Sequence, residues 1–176
     1  AEGLIRLKTA LNSAIPFKQV DQTLLLATWN IREFGGTKSD GRDTEALFYL
    51  AEIISRFDLV AVQEVRDNLD ALDDLMTILG GWWKYLVSDV TVGAQGNNER
   101  QAFIYDTRKL SFGGLAGELS APVSKVDGQL KPDFGFARSP FLCGFRVGSF
   151  KFTICTDHLY YGDPKPDDPQ RQKEAE

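Results

Sequence analysis

Leu24-Leu25-Leu26-Ala27-Thr28-Trp29-Asn30-Ile31-Arg32 is an apolar run that delivers one amide, Asn30, and then turns into Glu33-Phe34-Gly35-Gly36. A second run, Leu59-Val60-Ala61-Val62-Gln63, delivers one carboxylate, Glu64. Between them Leu47, Leu50, Ala51 and Ile54 fall on one face of a helix reaching Arg56, with Asp43 or Thr44 as its cap. Strand, helix and strand in that order predict a βαβ unit with parallel strands and a right-handed crossover. Asn30 and Glu64 then leave the same edge of the sheet, where open α/β sheets bind ligands. The unbroken apolar residues Leu24–Ala27 predict a first strand covered on both faces.

Upstream, Leu4, Leu7, Leu11 and Ile15 mark a helix over residues 4–15 that Pro16 ends. Downstream, Asp67 or Asn68 caps a second amphipathic helix through Leu79, stopped by Gly80-Gly81. Residues 82–87, 100–105 and 110–115 are expected as strands. Residues 88–99 and 116–138 are expected as loops, the second long enough to suggest a functional role. Phe141–Val147 and Phe150–Thr156 predict a hairpin around Gly148-Ser149, and the second arm delivers His158, the only histidine. Asp167 or Asp168 followed by Pro169 opens a last helix that has no apolar face, as if the chain were cut after a helix had begun.

The 176 residues, 43% hydrophobic and 26% charged, suit one soluble domain. No apolar stretch is long enough to span a bilayer and no signal peptide is visible, which fits a cytoplasmic protein or a secreted one whose leader has been removed. The net charge of −5 supplies no general attraction to nucleic acid, so a phosphate-handling site needs local arginines or a metal. Cys143 and Cys155 are too few for a disulfide framework and are expected as free buried thiols.

Each candidate residue has a bland reading beside a chemical one. Glu64 is a surface or capping acid, or a ligand for Mg²⁺, which takes one or two carboxylates with water and phosphate oxygens. Asn30 closes an Asx turn, or positions metal or phosphate. His158 is a structural histidine, or the group that handles the proton and charge of a phosphodiester transition state. Glu99 is a solvated acid, or the carboxylate that orients His158. Arg32, Arg66, Arg100 and Arg138 recur near predicted strand ends, as surface residues or as phosphate contacts.

Five ordered strings carry a resemblance: Trp29–Gly35, Gln63–Asp67, Glu99–Phe103, Arg138–Phe141 and Thr156-Asp157-His158. Together they resemble the endonuclease/exonuclease/phosphatase superfamily, in its pancreatic-type deoxyribonuclease-like branch, over residues 22–176. The resemblance implies an α/β (α+β) fold, a two-sheet sandwich flanked by helices, preceded by an N-terminal helix and lead-in over residues 1–21. It implies Mg²⁺, with Mn²⁺ or Ca²⁺ as alternatives, held by Glu64 and Asn30. It also implies catalytic roles for His158, Glu99 and Asn30, and substrate contacts from Arg66 and Arg138, with Arg32 and Arg100 as further candidates. An aromatic that often precedes the family's glutamate is replaced by Asn97-Asn98. The family's later Gly-Asp-x-Asn and Ser-Asp-His motifs do not occur after His158. The chain therefore resembles the first part of such an enzyme, with open strand edges and little activity expected of it alone.

Two classes of function follow. One is a Mg²⁺-dependent phosphodiester hydrolase, first of all a DNase I-like endonuclease, with a phosphatase or sphingomyelinase type also open. The other is a non-catalytic relative that binds phosphate or nucleic acid. The retained set Asn30, Glu64, Glu99 and His158 favours the hydrolase. DNA or another phosphodiester is the expected partner, and the sequence leaves the oligomeric state open.

Overall fold

The computed structural model describes residues 2–35, 44–91, 98–132, 136–160 and 168–175. Asp43, Asn97 and Asp167, named above as possible cap or loop residues, lie outside these. In chain order the elements are α1 (Glu2–Ala14), β1 (Leu26–Phe34), α2 (Thr44–Ile54), β2 (Leu59–Arg66), α3 (Asp70–Leu79), β3 (Trp83–Val87), β4 (Glu99–Asp106) and β5 (Ser111–Glu118). They continue with β6 (Val123–Val126), β7 (Gln129–Pro132), β8 (Phe141–Val147), β9 (Phe150–Thr156) and α4 (Pro169–Ala175). No described helix is long and apolar enough to cross a membrane.

The βαβ unit forms as expected. β1 and β2 run parallel with Leu26 opposite Leu59 and Asn30 opposite Gln63. β4 then adds antiparallel to β2 and β3 to β4, giving the order β1-β2-β4-β3. A second, antiparallel sheet has the order β5-β8-β9. Alternation along β2 and β4 sends Val60, Val62, Ala102 and Ile104 towards Leu47, Leu50, Ile54, Leu72 and Leu75 of α2 and α3. The alternate residues Leu59, Ala61, Phe103 and Tyr105 face Phe141, Cys143 and Phe145 of the second sheet, and Leu110 just before β5. Phe145 closes that interface with ring centroids 5.8 Å from Phe103 and 5.2 Å from Tyr105. The architecture is a two-sheet α+β sandwich with helices on the outer face of the larger sheet.

Three expectations are corrected. Coverage on both faces holds for β2 but not for β1, which is an edge strand with Leu26 44% exposed. An apolar run shows that a strand is buried somewhere along its length, not where it stands in the sheet. Segment 116–138 is not one long loop: β5 extends to Glu118, and β6 and β7 pair as a hairpin. Its turn is Asp127-Gly128, with φ of 52° and 81°, the pair of positive angles that a two-residue type I′ connection demands. Cys155 is exposed, while Cys143 is buried between the sheets; both are free. They sit one register step apart, Cys143 opposite Ile154 and Cys155 opposite Leu142, and so point to opposite faces. Burial pushes the Cys143 thiol up to about 11. α4 has no apolar stripe, as expected, and is anchored by a polar group, its one buried residue Glu174.

The helix ends follow local chemistry. Asn68 Oδ1 accepts the Asp70 N–H at the start of α3 (2.8 Å), and Gly80 at φ 87° ends it with its N–H on the Met76 carbonyl (2.9 Å). Asp168 Oδ1 accepts the N–H groups of Gln170 and Arg171 (3.0 and 3.1 Å), capping α4 ahead of Pro169.

Candidate active site

Two irregularities aim the site. The β1–β2 register shifts between Asn30 and Phe34, and the β2–β4 register shifts between Val62 and Val65. At these places Glu33 and Glu64 adopt φ of 50° and 61°, left-handed angles rarely taken by non-glycine residues. A bulge re-aims a side chain that strict alternation would send elsewhere. As a result Asn30 Nδ2 donates to Glu64 Oε1 (2.8 Å), and the Glu33 N–H donates to Glu64 Oε2 (2.9 Å).

The second sheet brings His158 to the same edge. Gln63, buried within β2, donates through Nε2 to Thr28 Oγ1 (3.0 Å) on β1 and to Thr156 Oγ1 (2.7 Å) on β9. That amide ties three strands of two sheets together two residues before His158. Asp157 Oδ1 accepts the His158 N–H (2.7 Å). Burial pushes the Asp157 carboxyl up, against the pull of that hydrogen bond.

His158 is held at both ring nitrogens. Nδ1 lies 3.0 Å from Glu99 Oε2. Nε2 lies 3.5 Å from Asn30 Nδ2 and 3.7 Å from Glu64 Oε1. Glu99 is buried and also accepts from Arg138 Nε at Oε2 (2.8 Å), with Arg66 Nη1 3.7 Å from Oε1. Burial opposes its ionisation, but the hydrogen bonds and charges of His158 and Arg138 outweigh it and hold the carboxyl below its usual value. An ionised Glu99 places the imidazole proton on Nδ1 and turns Nε2 to the open side.

The structure thus unites Asn30, Glu64, Glu99, His158, Arg66 and Arg138. Arg100 points away: its Nη1 donates to the Ser88 carbonyl (2.9 Å) and lies 3.6 Å from Asp89 Oδ1. Neighbouring residues of one strand face opposite sides, so Glu99 and Arg100 cannot both serve one site. Arg32 is exposed on β1. Two residues escaped the sequence reading. Gln63 adjoins Glu64 but reads as part of the strand. Glu33 reads as loop, yet its Oε1 lies 3.3 Å from Arg66 Nη2.

One oxygen or nitrogen from each of Glu64, Glu99 and His158 lies within 4.8 Å of the others. Glu99 is already matched by arginines. Glu64 is partnered by a neutral amide and a backbone N–H, is 17% exposed at its side chain, and keeps lone pairs on both oxygens. That donor chemistry fits a hard divalent cation such as Mg²⁺, held by one carboxylate and water.

The chain is 35% identical over 98 residues to deoxyribonuclease-1 of Rattus norvegicus, covering 53% of this chain and 34% of that protein. It is 33% identical over 114 residues to deoxyribonuclease-1 of Homo sapiens, covering 62% and 37%. The chain is related to deoxyribonuclease-1. It spans about a third of the length of these deoxyribonucleases. Among solved structures, an endonuclease/exonuclease/phosphatase family protein from Leptotrichia buccalis superposes with a TM-score of 0.54 at 13% identity, over 87% of this chain and 60% of that one. A functionally unknown conserved protein from Enterococcus faecalis gives 0.54 at 20% identity, over 78% and 53%. These two likenesses concern the fold, which is the sandwich that the resemblance implied. No protein-family model matches the chain.

Proposed function

We propose that the whole protein carrying this chain is a divalent-metal-dependent phosphodiester hydrolase acting on DNA, with residues 22–176 contributing to its hydrolase domain. The observation that carries the reading is the His158–Glu99 pair set beside the Asn30–Glu64 pair on one sheet edge, in a relative of deoxyribonuclease-1.

Glu64 would hold the cation, Mg²⁺ or alternatively Mn²⁺ or Ca²⁺, with Asn30 orienting its carboxylate. The bound cation would neutralise charge on a phosphate oxygen. His158, with Nδ1 on Glu99, presents Nε2 to the phosphate and, when protonated, donates from it to an oxygen of the phosphodiester. Glu99 keeps the ring in that orientation. Arg66, the more open of the two arginines, contacts the phosphate, and Arg138 braces Glu99. The chain has one imidazole, so histidine of this chain cannot both protonate a leaving oxygen and activate the attacking water.

The test is nicking of supercoiled plasmid by the whole protein in Mg²⁺, abolished by chelation and restored by added metal. DNA binding without cleavage in Mg²⁺, Mn²⁺ or Ca²⁺ would overturn the reading in favour of a non-catalytic binder.

A further inference from the structure

Glu174, on α4, is buried and stands outside the chemistry assigned above. Its Oε1 accepts the backbone N–H of Ala137 (2.8 Å) and its Oε2 accepts that of Tyr160 (2.7 Å). Gln170 Nε2 also donates to Oε1 (3.2 Å). Ala137 immediately precedes Arg138, and Tyr160 stands two residues after His158. The side chains of Arg138 and His158 in turn converge on a different buried carboxylate, Glu99. A closed ring results: Glu99, Arg138 side chain, Ala137 amide, Glu174, Tyr160 amide, His158 side chain, and back to Glu99.

We propose that Glu174 is a positioning residue for His158 and Arg138, an inference that rests on the role given to that pair above. Glu99 aligns the two side chains, and Glu174 fixes the spacing of the two backbones that carry them. A carboxylate suits the task because both of its oxygens accept and neither donates. Glutamine has nearly the same shape but turns an NH₂ towards one of the two backbone donors, so it keeps one tie and loses the other. Ala137 and Tyr160 belong to no strand, so no sheet ladder pairs their amides. A small misplacement of a group that acts on substrate is costly to turnover even when the fold survives.

The experiment compares wild type, Glu174→Gln and Lys173→Ala, a control on the same helix. In wild type the Ala137 and Tyr160 amide protons should exchange slowly with solvent, and rapid exchange at either would sink the proposal without any variant. In Glu174→Gln at least one of the two should exchange about 10-fold faster or more. The His158 ring signals, assigned by their loss in His158→Ala, should shift, while Lys173→Ala leaves them in place. If Glu174 only anchored α4, the ring signals of Glu174→Gln would match wild type, and that match would overturn the proposal. With plasmid DNA and Mg²⁺, kcat of Glu174→Gln should fall by ~10- to 100-fold with KM nearly unchanged. A wild-type protein that fails to cut DNA counts against the proposed function alone, since exchange and ring signals still decide the role of Glu174.

Discussion

β4 begins and ends on a buried acid, Glu99 and Asp106, and the charges gathered at its two ends serve different purposes. At the far end Asp106 accepts from Lys18 Nζ (2.9 Å) and from Arg108 Nη2 (2.6 Å). The neighbouring Asp58 lies 3.3 Å from Lys18 Nζ and 3.7 Å from Lys109 Nζ. Three cations there meet two carboxylates, and the cluster ties the lead-in to β1 against the β4–β5 turn through the Leu25 N–H on Asp58 Oδ2 (2.8 Å). At the near end Glu33, Glu64 and Glu99 meet Arg66 and Arg138, beside one imidazole that faces the open side. The first cluster holds the fold. Under the function proposed above, the second, whose Glu64 carboxylate is partly open, would take a cation from outside.

The contrast can be broken by substitution. The largest effect is expected from His158→Ala, which should lower plasmid nicking by ~10²- to 10⁴-fold, the range of a positioned acid or base, with the melting temperature nearly unchanged. Glu64→Gln should come next. It removes the anionic ligand while keeping the shape, so Mg²⁺ titrated calorimetrically should bind roughly 100-fold more weakly. Unchanged metal affinity would mean that the Glu64 carboxylate has another purpose. At the far end Asp106→Asn should leave nicking alone and reduce stability. The surrounding cations hold the Asp106 carboxyl at about 2 against an ordinary 3.8, despite burial. Its stabilisation, about 2 kcal/mol, is therefore complete above about pH 4 and lost as the pH falls towards 2. Chemical unfolding of both proteins across that window should show the gap closing. The smallest effect belongs to Arg100→Ala, less than ~5-fold on nicking, since the arginine faces away from the site and its partly exposed pair with Asp89 is worth about 1 kcal/mol or less.

Much of this was legible in the chain itself. The two apolar runs, their intervening helix and the hairpin before His158 follow from periodicity and turn chemistry, and the first three suffice to bring Asn30 and Glu64 to one edge; His158 joined them only through the resemblance. Strand order was not legible, because the insertion of β4 beside β2 is a pairing between distant segments with no local signature. Nor was the edge position of β1, since Leu24–Ala27 would be equally apolar in a central strand. The β6–β7 hairpin could have been read from Asp127-Gly128, but every residue of β6 is exposed, so the usual alternating pattern is missing there. Arg100 could have been set aside by parity with Glu99. Glu174 could not have been found: a glutamate in a polar helix looks solvated until the amides it accepts are seen.

The left-handed angles of Glu33 and Glu64 have an evolutionary consequence. Glycine would relax either backbone, yet glycine at position 64 would delete the carboxylate that the bulge exists to aim. Selection for thermal hardiness alone would therefore tend to erode this corner of the sheet. Glutamate at such a φ marks a place where the chain has kept a less comfortable conformation in exchange for the direction of one side chain.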